Sequence, residues 1–233
     1  MARREESAPW KPKTKLGKLV KKGAVTDIHE ALTHELTLRE PEIIDKLVPN
    51  LDDDVILIGG TPGKGGGKRR IVSKRTVRMH KSGRRFKTKA MVVTGNGNGV
   101  VGLGEGYSED TRNAIQKAKQ NSKLNIIELR RGNGSWEDRG TEPTTIPFKS
   151  TGKAGSVEVE IQPAPRGTGL AASSGVRKLL KLGGIEDMWV KSRGNTRTRE
   201  NIIKATFNAF KNMNQTKVTS GIKENTGLVI GKV

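Results

Sequence analysis

Between residues 59 and 90, every charged side chain of this sequence is basic. This stretch contains twelve lysine and arginine residues and no aspartate or glutamate. It follows a segment, residues 25–58, in which nine acidic residues outnumber two basic ones. The whole chain has 44 basic and 24 acidic residues, a formal net charge of +20. Because such an excess of cations repels itself unless a polyanion neutralises it, the sequence predicts a nucleic-acid partner.

Composition narrows the class of protein further. Of 233 residues, 32% are hydrophobic and 29 are glycines, which predicts one large domain or two small ones with long glycine-bearing loops. The absence of cysteine excludes disulfides, thiol catalysis and zinc–thiolate sites. We find no long apolar run, no basic helix with an aromatic face and no apolar segment behind the first six residues. We therefore expect a soluble cytoplasmic protein with no membrane contact and no secretory signal.

The first half of the chain has the pattern of a helix, three antiparallel strands and a second helix. Proline opens the first helix, and Glu109 and Asp110 stand at the start of the second. The predicted elements are a helix over 40–47, a flexible loop over 59–68, strands over 70–79 and 84–94 around a turn at 80–83, a hairpin turn at 96–99, a strand from residue 100 and a helix over 109–124. This order indicates a double-stranded-RNA-binding-like domain.

The second half predicts another unit of mixed helices and strands, so the fold class is α+β with two small domains. Val176, Leu179 and Leu180 share one helix face, and Ile203, Phe207 and Phe210 have helical spacing in the last helix. The predicted elements are strands over 145–149 and 156–161 around Gly155, a glycine loop over 166–169, the helix that carries Val176, a strand over 187–191 and a helix over 199–212.

The predicted division of the chain follows these patterns. It comprises a basic arm and acidic extension over residues 1–39, the double-stranded-RNA-binding-like domain over 40–131, a linker over 132–144, the second domain over 145–213 and a polar tail over 214–233. The first 24 residues have eight basic and two acidic side chains and little helical or strand pattern. We expect this arm to be disordered alone and ordered on a polyanion, with Trp10 a candidate for stacking on RNA.

Motifs that resemble catalytic sites are better explained without catalysis. Residues 97–102 match the dinucleotide pattern G-x-G-x-x-G, but no helix opens at the last glycine, and a hairpin is the simpler interpretation. The glycine-rich residues 59–68 contain no P-loop register. His29, His34 and His80 are scattered, with no paired carboxylates at metal spacing. We therefore expect no enzyme activity, no cofactor and no metal site.

Several segments closely resemble the S-five family of small-subunit ribosomal proteins. They are GRRFKTKAMVVTGNGNG at residues 83–99, VGLG at 101–104, AIQKA at 114–118, QPAPRGTGLAA at 162–172 with Arg177, and NIIKAT at 201–206. The resemblance covers roughly residues 73–213. Residues 25–54 and 130–136 are similar to the archaeal and eukaryotic branch of the family, and we expect an archaeal member.

The resemblance implies a fold and a function. The family has a double-stranded-RNA-binding-like domain followed by a C-terminal α/β sandwich of its own. Its members are structural constituents of the small ribosomal subunit that bind small-subunit rRNA, support subunit assembly and decoding accuracy, and help to line the channel through which mRNA enters. Gly169 and Arg177 match positions where the family contacts its neighbour, the fourth small-subunit ribosomal protein.

The predicted rRNA contacts combine the resemblance with the charge pattern. The resemblance assigns the binding hairpin to Lys74, Arg75, Lys81, Ser82, Gly83 and Arg84, and neighbouring cations extend the contact to Lys68, Arg69, Arg70, Arg78, Arg85 and Lys87. Arginine can bind two phosphate oxygens at once, and glycine lets the backbone approach RNA. With 3% aromatic residues, base stacking is a poor general mode. After Gly106 the chain has Tyr107, Glu109 and Asp110, where the family usually has a basic residue.

Two other classes remain open at this point. A double-stranded-RNA-binding protein or RNA chaperone outside the ribosome would share the first domain but would need neither the glycine loop at 167–169 nor the basic arm. An RNA-processing enzyme would need clustered acids to hold metal ions, whereas the acids of residues 25–54 fall on a predicted helix and linker.

Overall fold

Two largely antiparallel sheets, each packed against a long helix, form the frame of the molecule. The computed structural model describes residues 10–33, 36–62, 67–138 and 142–231. Mixed sheets and helices confirm the α+β class. None of the helices in these ranges is long and apolar enough to cross a membrane.

Three short helices open the described chain: α1 (Lys15–Lys22), α2 (Ile28–Thr33) and α3 (Pro41–Leu47). The prediction of a structureless arm is wrong for residues 10–24. Leu16 and Val20 of α1 are buried with Ile43 and Ile44 of α3 in an apolar cluster that also includes Val100 and Ile126. Residues 1–9 lie outside the described part of the chain.

Glu40 ties the start of this segment to α3. Its carboxylate accepts hydrogen bonds from the Trp10 indole at 2.9 Å and from the backbone amides of Lys13 and Thr14 at 2.9 and 2.6 Å. Burial would raise the pKa of Glu40, but these hydrogen bonds hold it below its usual value. Trp10, predicted as a candidate for RNA stacking, is half-buried in this contact.

The first sheet has five strands and one covering helix. The elements in chain order are β1 (Asp52–Val55), β2 (Gly59–Pro62), β3 (Lys68–Ile71), β4 (Lys74–His80), β5 (Gly83–Gly95), β6 (Val100–Ser108), α4 (Thr111–Leu124) and β7 (Ile126–Glu128). The sheet order is β1-β5-β6-β7, and β4 also pairs with β5. The prediction missed β1, and the strand predicted over 70–79 is two strands. The predicted loop over 59–68 is in part the antiparallel pair β2–β3, while residues 63–66 lie outside the described ranges.

Helix α4 lies directly on β6 because glycines remove the side chains between them. A Cβ atom placed on Gly104 would lie 2.2 Å from the carbonyl oxygen of Ala118 and from the amide nitrogen of Ser122. A Cβ on Gly106 would meet the Ala114 carbonyl oxygen at 2.1 Å. The facing helix residues are small and buried, so backbone packs against backbone.

The second sheet has four strands and packs on the longest helix. The remaining elements are β8 (Arg130–Arg131), β9 (Ser150–Ala154), β10 (Val157–Pro163), β11 (Leu170–Ala171), α5 (Ser174–Leu182), β12 (Met188–Arg193), α6 (Arg199–Gln215), α7 (Ser220–Thr226) and β13 (Val229–Ile230). The sheet order is β11-β12-β10-β9, with β11 parallel to β12. Gly152 of β9 allows α6 the same close approach, since its Cβ would meet backbone atoms of Ala205 and Ala209.

Two predictions for this half need correction. The strand before Gly155 is Ser150–Ala154 and not 145–149, where Thr145 makes only an isolated bridge to Gly132. The segment after residue 213, predicted as a polar tail, contains α7 and β13, and β13 pairs with β8. Residues 232–233 lie outside the description.

One apolar cluster joins the two sheets. It includes Met91 and Val93 of β5, Val159 of β10, Leu179 of α5 and Phe210 of α6, all fully or almost fully buried. The predicted linker also has fixed contacts, since the Gly134 amide donates to the Ile146 carbonyl at 3.1 Å. Residues 139–141 lie outside the description. The division into domains stays a prediction, but the two halves share a core.

Candidate nucleic-acid interface

The most basic part of the chain is a two-stranded ribbon, defined here as residues 74–89 of β4 and β5. Its pairing runs from Lys74↔Lys89 to His80↔Gly83, and β6 joins β5 only from Thr88 onward. In the described part of the chain, residues 83–87 therefore pair with β4 alone. Every residue of β4 is exposed. The ribbon is thus an extension of the first sheet into solvent.

A tight turn at Lys81 and Ser82 closes the ribbon. Gly83 has a φ of 105°, in the region that favours glycine, so another residue would be strained there. The Arg85 guanidinium donates to the Ser82 hydroxyl at 2.9 Å, which holds one arginine along the tip. The turn brings together four of the predicted hairpin contacts, Lys81, Ser82, Gly83 and Arg84, whereas Lys74 and Arg75 lie at the opposite end of the ribbon.

The two faces of the ribbon differ in chemistry. Residues paired directly across the strands share a face, and neighbours along a strand alternate. One face, called the basic face, carries Lys74, Thr76, Arg78, Arg85 and Lys87. The other, called the apolar face, carries Arg75, Val77, Met79, Arg84 and Phe86.

The cations of the ribbon are largely free of acidic partners. Among the described residues, no ion pair involves Arg75, Arg78, Arg84 or Lys87. The Arg75 guanidinium carbon lies 3.9 Å from the centre of the Phe86 ring, which orients its charge without neutralising it. Such a surface is complementary to phosphate groups.

The first three predicted contacts lie on a different strand. Lys68, Arg69 and Arg70 belong to β3, which pairs with β2 and not with the ribbon. The side chain of Lys68 lies outside the described part of the structure. Arg70 lines a cavity of about 560 Å³ between the two halves, together with Lys178, Arg197 and Arg199. The charge pattern of the sequence did not indicate these three residues, because more than 100 positions separate them from Arg70 in the chain.

A network of ion pairs anchors the base of the ribbon to the second half. The Lys89 ammonium lies 2.5 Å from a Glu200 carboxylate oxygen and 3.1 Å from a Glu105 oxygen. Lys74 also pairs with Glu200 at 3.3 Å, so this predicted contact is partly neutralised. Lys204 completes the network with a 2.7 Å pair to Glu105.

The buried pair at the centre of this network shifts both pKa values. Burial alone would lower the pKa of Lys89, but its hydrogen bond to Glu200 and the nearby carboxylates raise it well above its usual value. Burial would raise the pKa of Glu200, but its hydrogen bond with Lys89 holds it below the usual range. Both groups are therefore charged in the folded protein at neutral pH.

Lys89→Met is expected to lower the free energy of unfolding by about 2 kcal/mol. It removes the cation shared by two largely buried carboxylates, which keep only their pairs with the more exposed Lys74 and Lys204. Urea unfolding measures this change. The matched control is Lys204→Met, because the Lys204 side chain belongs to the same network but is 38% exposed. We expect it to cost less than about 1 kcal/mol. Equal small losses in both variants would show that the network contributes no more than surface pairs do.

Other basic residues stabilise the fold and are not available to a ligand. Arg130 donates to the backbone carbonyls of Met213, Thr216 and Asn214 at 3.0, 2.6 and 2.6 Å. Arg131 donates to the Asn98 carbonyl at 2.6 Å and so ties the 96–99 turn to β8. Burial lowers the pKa of both guanidinium groups. Arg130 and Arg131 are thus engaged within the fold, whereas the exposed cations of the ribbon can contact a ligand.

The glycine pattern at 97–102 forms a hairpin, as predicted. The Asn96 side-chain oxygen accepts hydrogen bonds from the amides of Asn98 and Val100 at 2.8 and 3.1 Å. Gly97 and Gly99 both have positive φ. Within the described ranges, no group of three or more His, Cys, Asp or Glu side chains could hold a metal ion.

Of the two predicted contacts to a protein neighbour, Gly169 lies directly before β11 and Arg177 lies in the first turn of α5. Gly169 has a φ of 73°, and its amide donates to the buried Asp187 carboxylate at 2.7 Å. The Arg177 side chain is exposed and lies 3.4 Å from the Ala172 carbonyl oxygen, so it leans back along the loop that carries Gly169. Arg177 therefore contacts the short segment that connects Gly169 to α5.

Comparison with known proteins assigns the chain to a family. The family model described as Ribosomal protein S5, N-terminal domain, matches residues 68–130, and the one for the C-terminal domain matches residues 152–222. The chain is 47% identical over 215 residues to a protein of Halobacterium salinarum named small ribosomal subunit protein uS5, covering 92% of this chain and 94% of that one. The chain belongs to the ribosomal protein S5 family.

Two further S5 relatives cover nearly the whole chain. Proteins of the same name from Methanocaldococcus jannaschii and Thermoplasma acidophilum are each 44% identical, over 96% and 97% of this chain and 96% of their own length. All three organisms are archaea, which confirms the predicted branch. The S5 domain models include the ribbon, Gly169 and Arg177. Helices α1–α3 lie outside both models but within the long matches to the S5 relatives.

Proposed function

We propose that the ribbon is the principal rRNA contact of this protein. As a member of the ribosomal protein S5 family, the chain is a structural constituent of the small ribosomal subunit. The observation that carries the proposal is the exposed two-stranded ribbon, whose arginines have no acidic partner among the described residues. A surface of this kind gains free energy by releasing counterions from RNA phosphates.

The proposed mode of binding is recognition of RNA shape and phosphates. Arg78, Arg85 and Lys87 present their charges on one face of the ribbon, and Gly83 lets the turn approach the RNA backbone. The A-form helix offers a wide, shallow minor groove and regularly spaced phosphates to such a probe. Arg69 and Arg70 belong to β3, which directly precedes the ribbon in the chain, and add a second basic strand to the proposed contact. The full proposed set is Lys68, Arg69, Arg70, Lys74, Arg75, Arg78, Lys81, Ser82, Gly83, Arg84, Arg85 and Lys87.

The finer roles implied by the family concern protein and mRNA neighbours. We propose that the surface bordered by Gly169 and Arg177 contacts the fourth small-subunit ribosomal protein and thereby supports decoding accuracy. The exposed Arg177 and the fixed loop at Gly169 suit a protein contact better than a buried structural role. A share in subunit assembly and in the channel through which mRNA enters belongs to the same proposal.

Sedimentation of a native lysate at moderate and high salt tests the ribosomal assignment. We expect the protein to migrate with small subunits and to remain there at high salt, because many phosphate and protein contacts hold it. Purified protein should bind rRNA with a log–log salt slope of roughly −0.7 to −0.9 for each phosphate contact. Protein found free at the top of the gradient would instead indicate an RNA chaperone or a double-stranded-RNA-binding factor outside the ribosome.

A further inference from the structure

The apolar face of the ribbon exposes large hydrophobic side chains at its most solvent-accessible part. Met79 is 70% exposed, Val77 49% and Phe86 39%. Val77 pairs directly with Phe86, and Met79 follows Val77 on the same face, so the three form one patch. They belong to none of the apolar clusters formed by the described residues. A patch of this kind at the tip of a ribbon is typical of a contact surface.

The charges around the patch limit what can cover it. Arg75 and Arg84 lie on the same face, and no acidic residue occurs in the ribbon. An apolar core or a lipid interior would have to bury these guanidinium groups without partners, which is unfavourable. The face requires a partner that has both negative charge and apolar surface. RNA has both, because its phosphates neutralise the arginines and its nucleobases offer apolar rings.

We propose that the apolar face contacts unpaired nucleobases of the rRNA, a proposal that rests on the rRNA-binding role of the ribbon. A paired A-form helix buries its base faces in the stack, and its deep groove is too narrow for a ribbon. A ribbon that binds RNA on both faces fits between RNA segments. Its basic face contacts phosphates, and its apolar face contacts unstacked bases together with the phosphates that flank them. The Arg75–Phe86 stack is a planar platform for one such base.

The low aromatic content speaks against stacking as a general mode, and Phe86 is the only aromatic residue of the ribbon. The structure nevertheless places that ring beside two exposed aliphatic side chains and under a guanidinium group. The site is therefore small and local, and it discriminates between unpaired and paired RNA rather than between base sequences.

Binding titrations with two RNA probes test the proposal. The probes are a fully paired RNA hairpin and the same hairpin with a bulge of unpaired nucleotides. We expect wild-type protein to prefer the bulged probe by roughly tenfold. Met79→Ser/Phe86→Ser should abolish this preference while keeping the affinity for the paired hairpin and its salt slope, since no charge is removed. The control Arg85→Gln/Lys87→Gln should weaken both probes alike and reduce the slope.

The possible results distinguish the nucleobase contact from the rRNA-binding role of the ribbon, on which it rests. Retention of the bulge preference by Met79→Ser/Phe86→Ser would overturn the nucleobase contact. So would an equal affinity of the wild type for both probes, although that result would leave rRNA binding intact. Failure of the wild type to bind either probe would count against the RNA-binding role itself. If the double variant binds both probes normally but is lost from small subunits, a protein covers the face and the proposal is wrong. If the double variant does not fold, the same titrations are made with the single variant Met79→Ser.

Discussion

Arg84→Glu is expected to weaken the binding of the folded protein to small-subunit rRNA on the order of thirtyfold to a hundredfold. Arg84 lies two residues beyond the ribbon turn and has no ion-pair partner among the described residues. The substitution removes a charge-assisted contact to phosphate and places a carboxylate in the same field of phosphates. It should also reduce the magnitude of the log–log salt slope by about one unit. Filter binding across a salt series measures both changes.

The control separates a local contact from a general effect of net charge. Lys217→Glu makes the same change of two charge units at an exposed position after α6, far from the ribbon in the sequence. We expect it to change affinity less than about threefold, through the long-range field alone. Thermal unfolding of both variants should match that of the wild type, because neither residue contributes to a core. Equal losses of affinity in the two variants would contradict the assignment of the ribbon.

Gly104→Ala is expected to destabilise the protein by at least about 3 kcal/mol. The added methyl group would lie 2.2 Å from backbone atoms of Ala118 and Ser122, and backbone cannot rotate away as a flexible side chain can. The sheet and α4 would have to separate, which opens the contacts among the small buried residues between them. Urea unfolding gives the loss directly.

Gly60→Ala is the matched control for this substitution. Gly60 also lies in a strand, has no positive φ, and the nearest atom to its added Cβ is 3.8 Å away. We expect a change within about 0.5 kcal/mol. A Gly104→Ala protein as stable as Gly60→Ala would show that α4 and β6 are less closely packed than the structure describes.

The strongest local patterns predicted their elements well. Helices α5 and α6 were predicted because their apolar residues recur at helical spacing and face the shared core. The ribbon and the 96–99 hairpin were predicted because glycine and asparagine select tight turns. The charge pattern predicted a nucleic-acid partner, and the motifs at residues 83–118 and 162–206 predicted the ribosomal family to which the chain belongs.

The elements that the prediction missed depend on distant partners. The three aspartates of β1 disfavour a strand, yet β1 pairs with β5 while Asp53 and Asp54 pair with Lys119 and Lys178. Helix α1 has eight residues and would be marginal alone, so its packing on α3 provides its stability. The polar residues after Asn214 form α7 and β13 because β8 offers an edge to pair with.

The sequence by itself determined that the partner is negatively charged, to which family the chain belongs, and where the elements with strong periodicity or turn glycines lie. These features are local, so neighbouring residues suffice to produce them. Only the tertiary structure decided which cations remain exposed and without an acidic partner among the described residues. Arg130 and Arg131 are bound to backbone carbonyls, and Lys89 is bound to Glu200, 111 positions away. Arg84 keeps its charge exposed. The availability of a charge depends on the groups that folding brings within a few ångströms of it, and sequence distance carries no information about those groups.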